Sequence, residues 1–173
     1  MKIFEQVRIA VVWLWRCRHS RGFGIQSPWA YSFVRYVVNE HWPYYAYEQL
    51  DDDTQGPIAK KLLQLYLRLA NFRQKDSWTI VTADRNHSWE AAVRRYLQAG
   101  CREVDCRITE PVAAETLTSG MVVVEGIGWK RRQRSLWQQL IADNRASVSF
   151  DLYYCGIVFF DQQLAKRQYV VNF

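Results

Sequence analysis

Trp78-Thr79-Ile80-Val81-Thr82-Ala83-Asp84-Arg85-Asn86-His87-Ser88-Trp89-Glu90 is the stretch whose reading decides the fold. Its first half is apolar and β-branched, the composition of a buried strand. Polar residues then interrupt it, and a helical pattern runs from Ser88 to Gln98, stopped by Gly100. A strand that passes directly into a helix is the repeating unit of an α/β sheet. Downstream, Glu103–Ile108 reads as a short strand, Pro111–Leu117 as a short helix, and Met121–Glu125 as a buried strand with three consecutive valines. Trp129–Asp143 is a basic amphipathic helix. Val148–Tyr153 and Ile157–Phe160 form a hairpin with Gly156 at its turn, and Tyr169–Phe173 is a last strand. The expected fold is α/β, with an antiparallel edge supplied by the C-terminal strands.

Upstream of Trp78 the pattern is helical. Residues 2–19 form a first helix, apolar around most of its second half, which predicts packing on at least one side. Gly22-Phe23-Gly24 breaks it. Ser27-Pro28 starts a second helix, with Ser as cap and Pro in the first turn, running to about Val38 with Trp29, Phe33, Tyr36 and Val37 near one face. An aromatic loop, His41–Tyr47, and the acidic Asp51-Asp52-Asp53-Thr54 lead to a third helix from about Pro57 to Arg73, with Ile58, Leu62, Leu65 and Leu69 in helical register. Residues 1–75 thus form an N-terminal helical cap and 76–173 an α/β core, within one domain.

With 173 residues, 49% of them hydrophobic and 23% charged, the chain has enough apolar material for a real core and is not disordered. A net charge of +6 favours acidic partners. The apolar run Ile9–Trp15 is too short to cross a bilayer and is followed at once by Arg16, Arg18 and Arg21, which argues against a secretory signal. Cys17, Cys101, Cys106 and Cys155 form no CxxC pair and no metal-ligand spacing, so reduced thiols in a cytoplasmic protein are expected, and no metal.

Three blocks resemble a bacterial group of class I S-adenosylmethionine (SAM) methyltransferase-like proteins. Gly22-Phe23-Gly24-Ile25-Gln26-Ser27-Pro28-Trp29-Ala30-Tyr31, with Tyr44-Tyr45-Ala46-Tyr47 downstream, is similar to that group's G-x-G-I-H-S-P-F-x-Y opening and its later Y-Y-A-F. Gln26 stands where His is usual. Val122-Val123-Val124-Glu125-Gly126-Ile127-Gly128-Trp129 resembles its F-D-D-I-x-W segment, with Glu125 and Gly126 in place of paired aspartates. The closing block, Ser147–Phe160 and on to Phe173, resembles the group's last hairpin. Together they cover roughly half of the chain. The resemblance implies a reduced Rossmann-like sheet under the helical cap. Two registers stay open: Asp84-Arg85-Asn86-His87-Ser88-Trp89-Glu90 matches the group's D-G-N-H-x-x-E loop after the fourth strand, or Trp78–Ala83 is the first strand.

In either register the cofactor loop should be glycine-rich, so that backbone N–H groups and a helix N-terminus can approach the ligand. Asp84, Arg85 and Asn86 stand there instead, each with a side chain that fills the space. Candidate catalytic residues are Asp84, His87 and Glu125. His87 would act as a base and Asp84 would orient it. Candidate cofactor contacts are Asp84, Asn86, Glu125 and Gly126. The competing structural reading makes Asn86 or Ser88 a helix cap, Glu90 a first-turn partner of the helix dipole, and Gly126–Gly128 a plain turn. Asp151, inside a strand, calls for a partner Arg or a hydrogen bond to a neighbouring strand.

The leading expectation is a degenerate methyltransferase-like protein, non-catalytic, without bound cofactor, that works as a binding module for an unknown protein or small molecule. An active methyltransferase that holds SAM through an atypical loop and modifies a small molecule is the alternative. A second alternative is a basic binder of nucleic acid or anionic membrane. Residues 1–36 carry Lys2, Arg8, Arg16, Arg18, Arg21 and Arg35 against the single acid Glu5, and Lys130-Arg131-Arg132 with Arg134 forms a second basic run. No aromatic platform or recognised motif supports nucleic acid. Residues 1–21 offer a peripheral membrane contact, and a homo-oligomer is compatible with the aromatic surface.

Overall fold

The computed structural model describes residues 2–22, 24–42, 44–50, 55–74, 77–82, 87–117 and 120–173, with the backbone alone for residues 2, 3 and 20–22. The chain is mixed α/β and divides into two compact units. One comprises Met1–Gln74, Ala91–Glu103 and Val171–Phe173, and the other Lys75–Glu90 and Val104–Val170.

The second unit holds a six-stranded sheet in the order β2-β1-β3-β5-β4-β6. Its strands are β1 (Trp78–Val81), β2 (Cys106–Thr109), β3 (Met121–Glu125), β4 (Val148–Asp151), β5 (Cys155–Phe159) and β6 (Arg167–Val170). β1 pairs parallel with both β2 and β3, and β4 pairs parallel with β6. β5 lies between β3 and β4 and is antiparallel to both. Every residue of β1, β3 and β5 is buried, as their predominantly apolar sequences lead one to expect, Thr79 and Glu125 included. Helix α6 (Arg131–Ala142) covers one face, where Leu136, Trp137 and Leu140 join Val81, Val122, Val124 and Val158 in one cluster.

Three sequence expectations are corrected here. Gly156 is not at the hairpin turn but inside β5, because the Trp137 indole lies on it: a Cβ there would come within 2.4 Å of the ring. The turn is Leu152-Tyr153-Tyr154, with Tyr153 in the left-handed region at φ 68°. Pro111–Leu117 forms only a short 3-10 turn, Ala114–Thr116, and the last strand ends at Val170, before Asn172 and Phe173.

The first unit is helical. It contains α1 (Lys2–Trp15), a 3-10 turn (Cys17–Gly22), α2 (Pro28–Phe33) continuing as a π-helical turn (Val34–Val38), α3 (Tyr45–Leu50) and α4 (Pro57–Arg73). α5 (His87–Gly100) contributes its residues from Ala91 onward, and its first turn is counted with the second unit. α2 starts as its sequence directs: the Ser27 hydroxyl accepts the Ala30 N–H at 3.3 Å, and Pro28 opens the helix. Replacing such a cap by Ala costs about 1 kcal/mol.

Helix α4 is the centre of this unit. Leu62, Leu63, Leu65, Tyr66, Leu67, Arg68, Leu69 and Ala70 are all buried, a wider apolar arc than one amphipathic stripe. Phe33 stacks on Trp29 at 5.7 Å and meets Phe72 edge-on at 5.3 Å. Tyr36, expected near one face with Phe33 and Val37, which are buried, is instead 61% exposed, because the π turn rotates it off the α-helical register. Arg68 closes the C-terminal end of that turn, donating to Val37 O at 2.6 Å, Val38 O at 3.2 Å and the Tyr47 hydroxyl at 3.1 Å. Among the described residues no helix is long and apolar enough to cross a membrane. The four cysteines are free thiols.

Candidate functional site

β3 ends at Glu125, whose side chain is only 8% exposed, and parallel pairing of Val81 with Val124 sets Thr82 beside it at the carboxyl end of the sheet. This is the position where open α/β sheets bind ligands. Gly126 follows in the left-handed region at φ +75°, a conformation that favours glycine. The chain then turns through Ile127 and Gly128 into α6.

What meets this turn is decided by topology. β5 is antiparallel to β3, so the β4–β5 turn falls at the carboxyl end of β3. The Gly126 N–H donates to Tyr154 O at 2.7 Å, and the Gly128 N–H donates to Tyr153 O at 2.9 Å. Gly126 O accepts the Trp129 and Lys130 N–H groups at 3.1 and 2.8 Å. Arg134 closes the remainder: its Nε donates to Ile127 O at 3.0 Å and its Nη2 to Gly128 O at 2.7 Å.

Side chains fill the same space. A Cβ on Gly128 would come within 2.6 Å of Tyr153 O and 2.8 Å of the Tyr153 ring. One on Gly126 would come within 3.2 Å of the Lys130 stem. The Trp129 ring lies 6.0 Å from both Tyr153 and Tyr154, which meet each other at 5.3 Å. Tyr153 is held in its left-handed conformation by its N–H, which donates to Asp151 Oδ1 at 2.8 Å. Asp151 therefore serves its own hairpin turn.

The electrostatics follow from burial. The Cys155 thiol sits opposite Glu125 in the β3–β5 register. Burial pushes it well above the ordinary thiol range, and the Glu125 and Asp151 carboxylates add to the effect. This is an inert, protonated thiol, the opposite of a nucleophile.

Of the other sequence candidates, His87 is exposed at the first position of α5 and Glu90 is half-buried in its first turn. Asp84 and Asn86 lie outside the described residues, as do residues 51–54. Residues that sequence reasoning passed over are Tyr153, Tyr154 and Arg134. The first two carried a usable signal, an aromatic pair directly before the glycine-containing strand β5. Arg134 carried none beyond its place in a basic run. That run is partly structural, since Arg132 also donates to Pro111 O at 2.9 Å.

Elsewhere in the second unit, a groove of about 300 Å³ runs along Pro111, Val112, Ala113, Arg132, Ser135 and Gln139. In the first unit, a cleft of about 430 Å³ is lined by Arg35, Tyr36, Asn39, Glu40, His41 and Trp42. A pocket of about 90 Å³ shares Asn39, Glu40 and His41 with it and adds Lys61 and Arg68. Among the described residues no group of three or more His, Cys, Asp or Glu side chains could hold a metal ion. Comparison with family models, with curated proteins and with solved structures gives no match.

Proposed function

We propose that this chain is a methyltransferase-like protein that does not transfer methyl groups and acts as a binding module. The observation that carries the reading is the state of the turn after β3. A nucleotide cofactor held at such a turn needs unspent backbone N–H groups and a surface without side chains. Here the N–H groups of Gly126 and Gly128 are both bonded to the β4–β5 turn, and Lys130 and Tyr153 cover the glycines. A ligand would have to break two backbone hydrogen bonds, one of them between the buried residues Gly126 and Tyr154 and so costly to leave unmade. The sequence Asp84-Arg85-Asn86 after β1 points the same way, since it offers side chains where glycines would be needed. The Rossmann-like, methyltransferase-like ancestry itself rests on the three sequence blocks. The antiparallel insertion of β5 between β3 and β4 agrees with the C-terminal hairpin that those blocks imply.

The test is a thermal-shift titration with SAM and with S-adenosylhomocysteine. A ligand at about 100 times its Kd stabilises the native state by about 2.7 kcal/mol, a change of several degrees in Tm. No shift is expected at millimolar concentrations of either compound. A saturable rise in Tm that Glu125→Gln or Asp84→Asn removes would overturn the reading in favour of an active enzyme.

A further inference from the structure

Helix α1 turns its apolar side outward. Phe4, Val7, Val11, Leu14 and Trp15 are spaced as one stripe along the helix and are all exposed, Phe4 at 83% and Trp15 at 75%. The opposite side is anchored within the first unit. Val12 is buried, and Arg16, only 6% exposed, donates from Nη1 to Val171 O at 3.2 Å. Asn172 donates from Nδ2 to Trp13 O at 3.2 Å and from its backbone N–H to His19 O at 2.9 Å. Glu5, the one acid of the helix, faces Gly56, where an added Cβ would collide with its carboxylate. The stripe therefore cannot rotate inward without breaking these contacts, and the exposed side of α1 carries no negative charge. Basic Arg18 is exposed just beyond its C-terminal end.

We propose that α1 lies flat on an anionic lipid surface, its apolar stripe entering the boundary between headgroups and acyl chains. Three observations select this occupant. Apart from the buried Arg16, residues 1–36 carry Lys2, Arg8, Arg18, Arg21 and Arg35 against the single acid Glu5, so a second copy docked on the same face would bring like charges together, whereas an anionic leaflet neutralises them. Trp15 ends the stripe near Arg18, and indole rings favour the interface between hydrocarbon and water. The helix, Lys2–Trp15, is too short to span a bilayer, so it lies in the plane. Arg16, which its sequence context places with this basic surface, is not part of it, because it is spent on Val171 O.

The test is co-sedimentation of the full chain with phosphatidylcholine vesicles, with and without roughly one-third phosphatidylserine. Binding to the anionic vesicles is expected, with weaker binding to the neutral ones and release as salt rises. Val11→Asp and Leu14→Asp should abolish it at unchanged Tm, and Arg18→Gln should weaken it about fivefold. Reduced quenching of tryptophan emission by brominated lipid in a Trp15→Phe variant reads the same contact without a charge placed in the helix. Failure to bind anionic vesicles, equal binding to both compositions, or a solution dimer that Leu14→Asp dissolves would each overturn the proposal.

Discussion

Trp137 packs its indole onto Gly156 so closely that no other residue fits in that position of β5. Gly156→Ala should therefore cost about 1–3 kcal/mol by overpacking, although alanine is otherwise well tolerated at many buried sites. A urea unfolding curve measures it, and an unchanged midpoint would mean that the ring moves aside freely. Cys155, next in the strand, is fully buried and held protonated. In the native protein a thiol reagent such as 5,5′-dithiobis(2-nitrobenzoate) should modify exposed Cys17 rapidly and reach Cys155 only after unfolding. Rapid native-state labelling of a Cys17→Ser, Cys101→Ser, Cys106→Ser variant would contradict this. At this scale the sequence was least legible. Gly156 reads as punctuation because glycine commonly ends strands, and nothing local reveals that an indole nineteen positions earlier requires its bare backbone.

The buried strand β3 is legible in the sequence with its bounds, Met121–Glu125, and so are the starts of α2 and α4 at their prolines; where helices and turns depart from expectation the departure has a physical cause. The caps and periodicities of α2 and α4 are local signals, and their boundaries follow from Ser27, Pro28, Pro57 and Arg73. The π turn after α2 is not local, since it depends on Arg68 of α4 binding the carbonyls of Val37 and Val38. Arg68→Met should destabilise the protein by about 2–4 kcal/mol, because the buried carbonyls lose their donor. A loss under about 1 kcal/mol, the usual range for a surface change, would show that the turn holds itself. The end of α6 gives a pH prediction. The Arg145 guanidinium and backbone hold the Asp143 carboxyl at about 2, against an ordinary 3.8. A depressed carboxylate stabilises the fold above its unfolded value, so this contribution is present above pH 3.8 and is lost as pH falls toward 2. Arg145 is exposed and Asp143 half-buried, and solvent screens the pair, so Asp143→Asn should lower Tm only slightly at neutral pH, with the difference vanishing below pH 2. Of the candidate site, Glu125 and Gly126 were legible from the end of a valine strand. The turn that closes over them was not, because its arrival depends on β5 reversing direction beside β3.

For the molecule as a whole, the sheet places its would-be ligand edge under its own hairpin, and the helical unit leaves its most apolar surface in solvent. A binding module of the kind proposed would therefore use surfaces other than the carboxyl end of β3. The decisive point is whether the Gly126 and Gly128 amides are already committed when no ligand is present. Amide hydrogen exchange, read residue by residue by NMR with and without millimolar S-adenosylhomocysteine, answers it directly. Slow exchange at both glycines in the free protein, unchanged by the compound, is the expected result. Fast exchange in the free protein, with protection of both amides on adding S-adenosylhomocysteine, would contradict a closed turn and restore a cofactor site.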